Sequence, residues 1–343
     1  MKAHYIIGSV KTDVGTVPQV SAIIKISDLL GTIMVRWSIN RDNYKVKPGL
    51  YAVGKPESTS EVFVTANYKL SFDHLRKNLN GVSGWILVLD TKGINVWCAA
   101  GKGTFGTAEL IKQINNSELE KIVQHKRIIV PQLGATGIAA YEIKERTGFR
   151  VIYGPVKASD IKGFISSGLK KTKEMSTVTF GFYERAKLIP VDLFYGKYYL
   201  LISLAVFFIF SVLFKNGVNS SESVLYGLSS MLNIILAYLS GLVMMPLLLP
   251  YIPFRSFAVK GFITGLALSI VLLSIHMLGN NYFEIISWFL IITSVSSFLG
   301  MNFTGSSTFT SLSGVKKEMK IAIPIQIGFS ALGIILFIIS LFI

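Results

Sequence analysis

Cysteine is almost absent from this chain: Cys98 is the only one in 343 residues. With no second thiol, an intrachain disulfide is excluded. A structural zinc or iron–sulfur site is excluded as well, because such sites draw several thiolates. Two roles stay open for Cys98, an inert small buried residue or a single thiolate acting as ligand or nucleophile. Acidic residues are also scarce, 19 against 34 basic ones, for a net charge of +15. Nucleic acid is the usual partner of so basic a chain, but no recognisable nucleic-acid-binding motif accompanies these lysines. Anionic lipid, an acidic protein or a phosphate-bearing cofactor remain as partners for the surplus. The start, Met1-Lys2-Ala3-His4-Tyr5, lacks the apolar run and small-residue cleavage site of a secretory signal, so the polar part is expected in the cytoplasm.

Charge of either sign runs out after Lys197. Only Lys215, Glu222, Arg255, Lys260, Glu284, Lys316, Lys317, Glu318 and Lys320 follow it, leaving +12 of the +15 in the first 197 positions. Five apolar runs fill the rest: Tyr198 to Phe214, Val224 to Leu249, Gly261 to Leu278, Ile285 to Gly300, and Ile321 to Ile343. Each is about long enough to cross a bilayer, the first and fourth being short. Pro246, Pro250 and Pro253 are expected to end the second run. Arg255, Lys260, Lys316, Lys317 and Lys320 fall in the second and fourth connections, against Lys215 alone in the first and third. The positive-inside rule then predicts a multi-pass protein of the cytoplasmic membrane, with the polar domain inside and the carboxyl terminus outside. An ion-coupled pump would place acids or histidines within its spans. Here Glu284 and His276 sit at span edges, so the runs read as an anchor in contact with lipid, and Met244 and Met245 as packing residues.

The polar half is organised as an α/β domain. Residues 1–45 read as an irregular or β-rich segment, with β-prone pieces at Ala22 to Ile26 and Thr32 to Ile39. The domain proper spans 46–185, a linker covers 186–197, and the transmembrane domain covers 198–343. Pro48-Gly49 is turn-like, Glu61 to Thr65 is a short strand, and Ser71 caps a helix running to Leu79. Trp85 to Leu89 is a continuous apolar run, as in a strand buried on both faces of a parallel sheet. Thr107 to Ile114 is a helix, Arg127 to Val130 a strand, Pro131 to Gly137 a loop, and Ile138 to about Arg146 a helix. Arg150 to Tyr153 is a strand ended by Gly154-Pro155, and Ala158-Ser159-Asp160 caps a helix from Ile161 to Leu169. Repeated β-loop-α units of this kind predict a doubly wound, Rossmann-like fold. Ligands of that fold sit beyond the carboxyl ends of the strands. Thr65-Ala66-Asn67, Asp90 to Cys98, Pro131 to Gly137 and Tyr153-Gly154-Pro155 are expected to converge there.

Gly101-Lys102-Gly103-Thr104-Phe105-Gly106 satisfies G-x-G-x-x-G, yet it starts eleven residues beyond Asp90 rather than at the strand-to-helix turn. No acidic residue closes a second strand at the spacing a dinucleotide needs, because Glu118 and Glu120 fall in a helix-like segment. The hexapeptide therefore reads as a turn between two helices. It also fails as a phosphate loop, since Gly103 stands where Ser or Thr is needed and Val96 where the first Gly belongs.

Asn95-Val96-Trp97-Cys98-Ala99-Ala100-Gly101-Lys102 resembles the signature of the mercury-methylating corrinoid proteins, the HgcA family. Pro48-Gly49-Leu50-Tyr51-Ala52-Val53-Gly54, Val64-Thr65-Ala66-Asn67-Tyr68-Lys69, Asp90-Thr91-Lys92-Gly93-Ile94, Pro131-Gln132-Leu133-Gly134, Tyr153-Gly154-Pro155-Val156 and Phe303-Thr304-Gly305-Ser306-Ser307 resemble that family in the same order. More distantly, the polar half is similar to the cobalamin domain of the corrinoid iron–sulfur proteins. The resemblance implies a cobalamin cofactor, with Cys98 on a cap helix facing its cobalt. It further implies a cofactor site built from Thr65, Asn67, Asp90, Asn95, Val96, Trp97, Ala99, Ala100, Gly101, Lys102, Gln132, Gly134, Tyr153 and Gly154. His4, His74, His125 and His276 lie outside the D-x-H-x-x-G pattern that brings imidazole to cobalt elsewhere, leaving Cys98 as the candidate axial ligand. A helix amino terminus and Lys102 would help keep its thiol deprotonated. Asp90 is open to either of two roles, orienting the loop or capping it. Lys102 is likewise open between neutralising the cofactor's phosphate tail and standing in solvent. The activity implied is methyl transfer from cobalamin to Hg(II), giving methylmercury. One cysteine cannot hold an iron–sulfur cluster, and the family implies a small dicluster 4Fe–4S ferredoxin as electron donor. A membrane-bound methyl carrier of a folate or one-carbon pathway is the alternative within this class. A membrane transporter with a nucleotide-binding sensor domain is the alternative outside it.

Overall fold

The computed structural model describes residues 3–215, 221–305 and 312–343; Met1, Lys2, Ser306 and Ser307 lie outside the described residues. The chain divides into two units, one of residues 1–35 and 39–178 and one of 36–38 and 179–343.

The first unit is a seven-stranded mixed sheet in the order β1-β2-β3-β5-β4-β6-β7. These strands are Ile6–Thr12, Gly15–Val20, Gly49–Val53, Val62–Ala66, Gly84–Leu89, Arg127–Val130 and Arg150–Tyr153, numbered β1 to β7. β5, β4, β6 and β7 run parallel, whereas β3 is antiparallel to β5 and β1 pairs antiparallel with β2. Every residue of β4 and β5 is buried. That follows from their unbroken apolar runs, which only a sheet covered on both faces can bury.

Alternation along the strands sorts the core into two layers. Val62, Val64, Leu87, Leu89, Ile128 and Val130 pack with Ala99 and Ala100 of helix α3 (Val96–Gly101), Leu110 and Ile114 of α4 (Thr107–Asn116), and Ile143 of α6 (Ala140–Thr147). The short α5 (Leu119–Ile122) joins this layer. Phe63, Ile86, Val88 and Ile129 face the other way, onto Phe72 and Leu75 of α2 (Lys69–Asn78) and Ile161 and Phe164 of α7 (Ile161–Ser166). Each such buried aliphatic or aromatic side chain stabilises by roughly 1.5–3 kcal/mol.

Several local expectations are corrected. The β-prone stretch Thr32 to Ile39 mostly lies in a helix, α1 (Ile26–Arg36), preceded by the β1–β2 hairpin. Its β-branched residues recur at helical spacing, and Asp28 and Val35 are the side chains it buries. α2 starts at Lys69, its cap position is Tyr68, and Ser71 falls inside it. Asp160 makes no side-chain cap to α7, which ends at Ser166 after a 3-10 turn over Ala158–Asp160.

Burial of charge binds α1 to α2. Asp28 Oδ1 lies 2.6 Å from both Lys69 Nζ and His4 Nε2, and its Oδ2 accepts from Arg76 Nη2 at 2.8 Å. Asp73 closes the network, 2.5 Å from Lys69 Nζ and 2.7 Å from Arg76 Nε. Arg76, fully buried, also donates to the Ser21 and Ile23 carbonyls. Burial alone would raise the Asp28 pKa, but hydrogen bonds from Lys69, His4, the Lys25 amide and Arg76 outweigh it and hold the carboxyl well below its usual range.

The second unit contains five helices long and apolar enough to cross a membrane, as a multi-pass membrane protein requires. They begin with Ile189–Phe214, Ser221–Leu239, Phe257–Ser274, Tyr282–Asn302 and Leu312–Ser340. The second passes through a π turn at Ser240–Met244 into Met245–Leu248, so Pro246 lies within the span rather than ending it. The π turn absorbs the amide that proline lacks. Lys316, Lys317 and Lys320, expected in a connection, belong to the first turns of the last helix. Where the third and fourth helices cross, a Cβ on Gly261 would lie 2.4 Å from the Ser296 carbonyl oxygen. That close approach lets Ser296 Oγ donate to the Gly261 carbonyl at 2.7 Å.

Removing one partner of a buried ion network typically costs about 3–5 kcal/mol. Asp28→Ala should lower the stability of the first unit by that order, read by hydrogen exchange of α1 and α2 amides in the detergent-solubilised chain. Because the Asp28 pKa is depressed in the folded state, its contribution is complete above the unfolded value of about 3.9 and is lost as pH falls through the lower folded value. The variant's stability should therefore fall less steeply on acidification than that of the wild type.

Candidate functional site

The carboxyl ends of β4, β5, β6 and β7 bring four loops to one edge of the sheet. Thr65 and Asn67 at the end of β4 are both buried. Asn67 is the joint of the edge. Its Oδ1 accepts from the amides of Thr91 at 3.1 Å and Gly93 at 2.9 Å, and its Nδ2 donates to Asp90 Oδ1 at 3.1 Å. The Thr91 hydroxyl stands 2.9 Å from the same Oδ1 and 2.7 Å from the Ile94 carbonyl. Two amides fill the two lone pairs of Oδ1, so the single hydroxyl proton goes to Ile94.

The turn that follows β5 needs this support, because Lys92 adopts the left-handed conformation at φ 60°. Asp90 holds it from the other side, accepting from the Lys92 amide at 3.1 Å and from Lys92 Nζ at 3.0 Å. Partial burial pushes the Asp90 carboxyl pKa up, and its bonds from Lys92 and Asn67 bring it below the ordinary value. The Asp90 amide donates to Glu109 Oε1, 2.9 Å away in the first turn of α4. Gln113 donates to the same oxygen.

From this clamped turn the chain enters α3. Asn95 caps it, its Oδ1 accepting from the Cys98 amide at 2.9 Å. Val96 packs against the core and Ala99 and Ala100 are buried in it, while Trp97 and Cys98 are exposed. The thiol is free and faces outward from a helix whose inner face is fixed. Gly101 and Lys102 close α3, both exposed. Gly103 then turns at φ 79°, and the Thr104 and Phe105 amides donate back to the Ala99 carbonyl. The G-x-G-x-x-G segment is thus the connection between α3 and α4.

The loop after β6 is a 3-10 turn, Gln132–Gly137, packed on α3. A Cβ on Gly137 would lie 2.1 Å from the Phe105 carbonyl oxygen and 3.2 Å from Ala100 Cα. Gly134 is buried, with the Phe105 ring where its Cβ would be. Gln132 Oε1 accepts from Lys171 Nζ, an ammonium whose pKa burial lowers. Tyr153 donates its hydroxyl to the Ile138 carbonyl at 2.9 Å, and burial raises the phenol pKa. Gly154 is buried at the end of β7, its amide donating to the Val130 carbonyl.

Direct hydrogen bonds therefore join Asn67 to Asp90 and Asn95 to Cys98. Gln132 and Tyr153 bond to residues outside the expected set. Sequence reasoning missed Thr91, Glu109 and Lys171 as supports. Glu109 had one legible signal, an acid in the first turn of a helix; Thr91 and Lys171 act through contacts distant in sequence. Two cavities in the second unit, 390 Å³ beside Tyr226 and Glu284 and 630 Å³ beside Phe262 and Gln326, contain no expected site residue.

Among the described residues no group of three or more His, Cys, Asp or Glu side chains could hold a metal ion. The edge offers one exposed sulfur. A metal that arrives already ligated, and needs a single further donor, fits this arrangement.

Residues 20–165 match the family described as CO dehydrogenase/acetyl-CoA synthase delta subunit. The chain is 32% identical over 142 residues to the acetyl-CoA decarbonylase/synthase complex subunit gamma of Archaeoglobus fulgidus, covering 40% of this chain and 30% of that protein. It is 30% identical over 156 residues to the corresponding gamma subunit of Methanocaldococcus jannaschii, covering 43% and 32%. It is 28% identical over 127 residues to the corrinoid/iron-sulfur protein large subunit of Moorella thermoacetica, covering 36% and 28%. The segment carrying β3 to β7 and their loops is thus related to corrinoid proteins. The chain spans about three-tenths of the length of these relatives, and the matched family region ends before the five apolar helices.

Replacing Asn67 by alanine would leave the buried Thr91 amide and its neighbour Gly93 without their acceptor, at about 1–3 kcal/mol for a stranded buried group. Asn67→Ala should accelerate hydrogen exchange at residues 91–94 by one to two orders of magnitude, with the α2 amides changed far less.

Proposed function

We propose that this chain is a corrinoid-dependent methyltransferase whose lone thiol, Cys98, is a ligand to cobalt, and that its methyl acceptor is Hg(II). The observation that carries the reading is the exposed Cys98 thiol on a capped, core-anchored helix, inside the segment related to corrinoid proteins. Cobalamin, when bound, supplies the methyl group. The chain's part is to hold and tune it. Cys98 would donate its sulfur, Asn95 fixes the turn that presents it, and Ala99 and Ala100 lock the helix to the core. Asn67, Asp90 and Glu109 hold the preceding loop rigid. Trp97, Gly101 and Lys102, exposed around the thiol, are the residues open to contact the macrocycle and its phosphate. A thiolate is a strongly electron-donating ligand, and ligand identity is a principal lever on metal electronics. Hg(II) is an electrophile, so electron donation favours transfer in its direction.

Restoring the donor state needs electrons, and one cysteine cannot hold an iron–sulfur cluster. A separate small dicluster 4Fe–4S ferredoxin is proposed as the source. The five apolar helices are proposed as an anchor in the cytoplasmic membrane, with the α/β unit on the cytoplasmic side and the carboxyl terminus outside. A second reading takes its support from the relatives' names: a membrane-bound methyl carrier serving one-carbon metabolism, with mercury incidental.

The absorption spectrum of purified, cobalamin-loaded protein should change on Cys98→Ala, and methyl transfer to Hg(II) should fall at least a hundredfold. An unchanged spectrum with full transfer would remove the thiolate from the mechanism. Transfer to a carbonyl-group enzyme or to free thiols that outpaces transfer to Hg(II) would favour the second reading. Leaving out the ferredoxin should abolish multiple turnover with a physiological donor while cobalamin stays bound; turnover without it would refute that partner.

A further inference from the structure

α1 carries an apolar face that the first unit does not cover. Ile26, Leu29, Leu30, Ile33 and Met34 recur at the spacing of one helical stripe, Trp37 follows in the turn just past the helix, and all are exposed, Ile26 at 76% and Leu30 and Ile33 at 55%. Ile23 and Ile39 extend the exposed apolar surface at either end. The helix cannot rotate to hide this stripe. On its inner side Asp28, 1% exposed, is held by Lys69, Arg76 and His4, and Val35 is fully buried. A contiguous exposed patch on a pinned element has a counterpart.

We propose that the counterpart is a lipid bilayer, and that α1 is an interfacial helix lying along a membrane surface. Three observations favour lipid. The same chain carries five helices of membrane-crossing length, which keeps a bilayer at high effective concentration around this face. Between Ser21 and Lys47 the chain has five basic residues, Lys25, Arg36, Arg41, Lys45 and Lys47, against Asp28 and Asp42. Asp28 is buried in its ion network, while Lys25, Lys45 and Lys47 are exposed against the exposed Asp42, so the exposed charge along this segment is net positive and suits anionic headgroups. The stripe also ends on an exposed tryptophan, a side chain that favours the boundary between headgroups and acyl chains. The apolar side would enter that boundary by roughly 5–10 Å. Neither the cofactor nor the methyl acceptor bears on this assignment of α1.

The lone cysteine makes the test direct. In a Cys98→Ala background, Ile33→Cys gives the full chain a single spin-label site at the centre of the stripe, and Leu29→Cys gives a second. Glu145→Cys, on the exposed side of α6, serves as the aqueous control. The labelled chain is reconstituted into nanodiscs of phosphatidylcholine with phosphatidylglycerol, and accessibility to oxygen is compared with accessibility to a polar nickel chelate. The expected result is a severalfold shift toward oxygen and away from nickel at positions 33 and 29, relative to position 145. Labels at 33 and 29 as open to nickel as the control would place the stripe in water and overturn the proposal. Labels shielded from both reagents would place it against protein, a second copy or a partner, and would overturn it equally.

Discussion

The carbonyl oxygen of one buried asparagine governs the edge on which the candidate chemistry sits. Asn67 Oδ1 takes the amides of Thr91 and Gly93, and its amide nitrogen reaches Asp90. A left-handed turn at Lys92 would otherwise be a weak point, since non-glycine residues reach that conformation at a cost. With the turn clamped by Asn67 within and Glu109 from α4, the six-residue α3 leaves the sheet in one direction only. So short a helix has little stability of its own. Its position comes from Ala99 and Ala100 in the core, from the Asn95 cap, and from a 3-10 turn in which glycine alone admits the Phe105 backbone. Rigidity beneath and exposure above leave the Cys98 thiol open to solvent on a fixed support.

That division between buried support and open display explains what could be read from the sequence. The continuous apolar run at Trp85–Leu89 signals a strand covered on both faces, and it is so placed; Arg127–Val130, read as a strand, is one as well. The loops beyond the strands could be located for the same reason, because strand ends fix loop starts. The supports are different in kind. Glu109 meets Asp90 across 19 positions, and Lys171 meets Gln132 across 39, pairings that no local pattern announces. Strand β3 also escaped, since Pro48-Gly49 reads as a turn and masks the apolar residues directly behind it.

α1 failed to read as a helix for an instructive reason. Ile33, Val35, Trp37 and Ile39 alternate as in a strand and have its residue types, and that short alternation masks the helical recurrence of Ile26, Leu29, Leu30 and Ile33 just before it. A soluble helix shows polar residues to water and apolar ones to the core. Here the inner contact is made by Val35 and by a carboxylate within a five-residue ion network, and the outer face is aliphatic. A charged group inside and an apolar face outside is the pattern expected of an element with lipid rather than water on its outer side.

The second unit handles the same problem with different materials. Within a bilayer no hydrophobic force draws helices together, so contact depends on close packing and on hydroxyl bonds. Gly261 against the Ser296 backbone supplies the first, and the Ser296 hydroxyl, bonded to the Gly261 carbonyl and next to Ser240 and Thr264, supplies the second. Ser240 begins the π turn that carries the chain past Pro246, so the helix irregularity lies where this hydroxyl cluster supplies polar partners. Polar groups therefore do structural work in both units. In the α/β unit they clamp a turn so that a sulfur can be shown to solvent; in the helical unit they hold apolar helices that the solvent itself would not drive together.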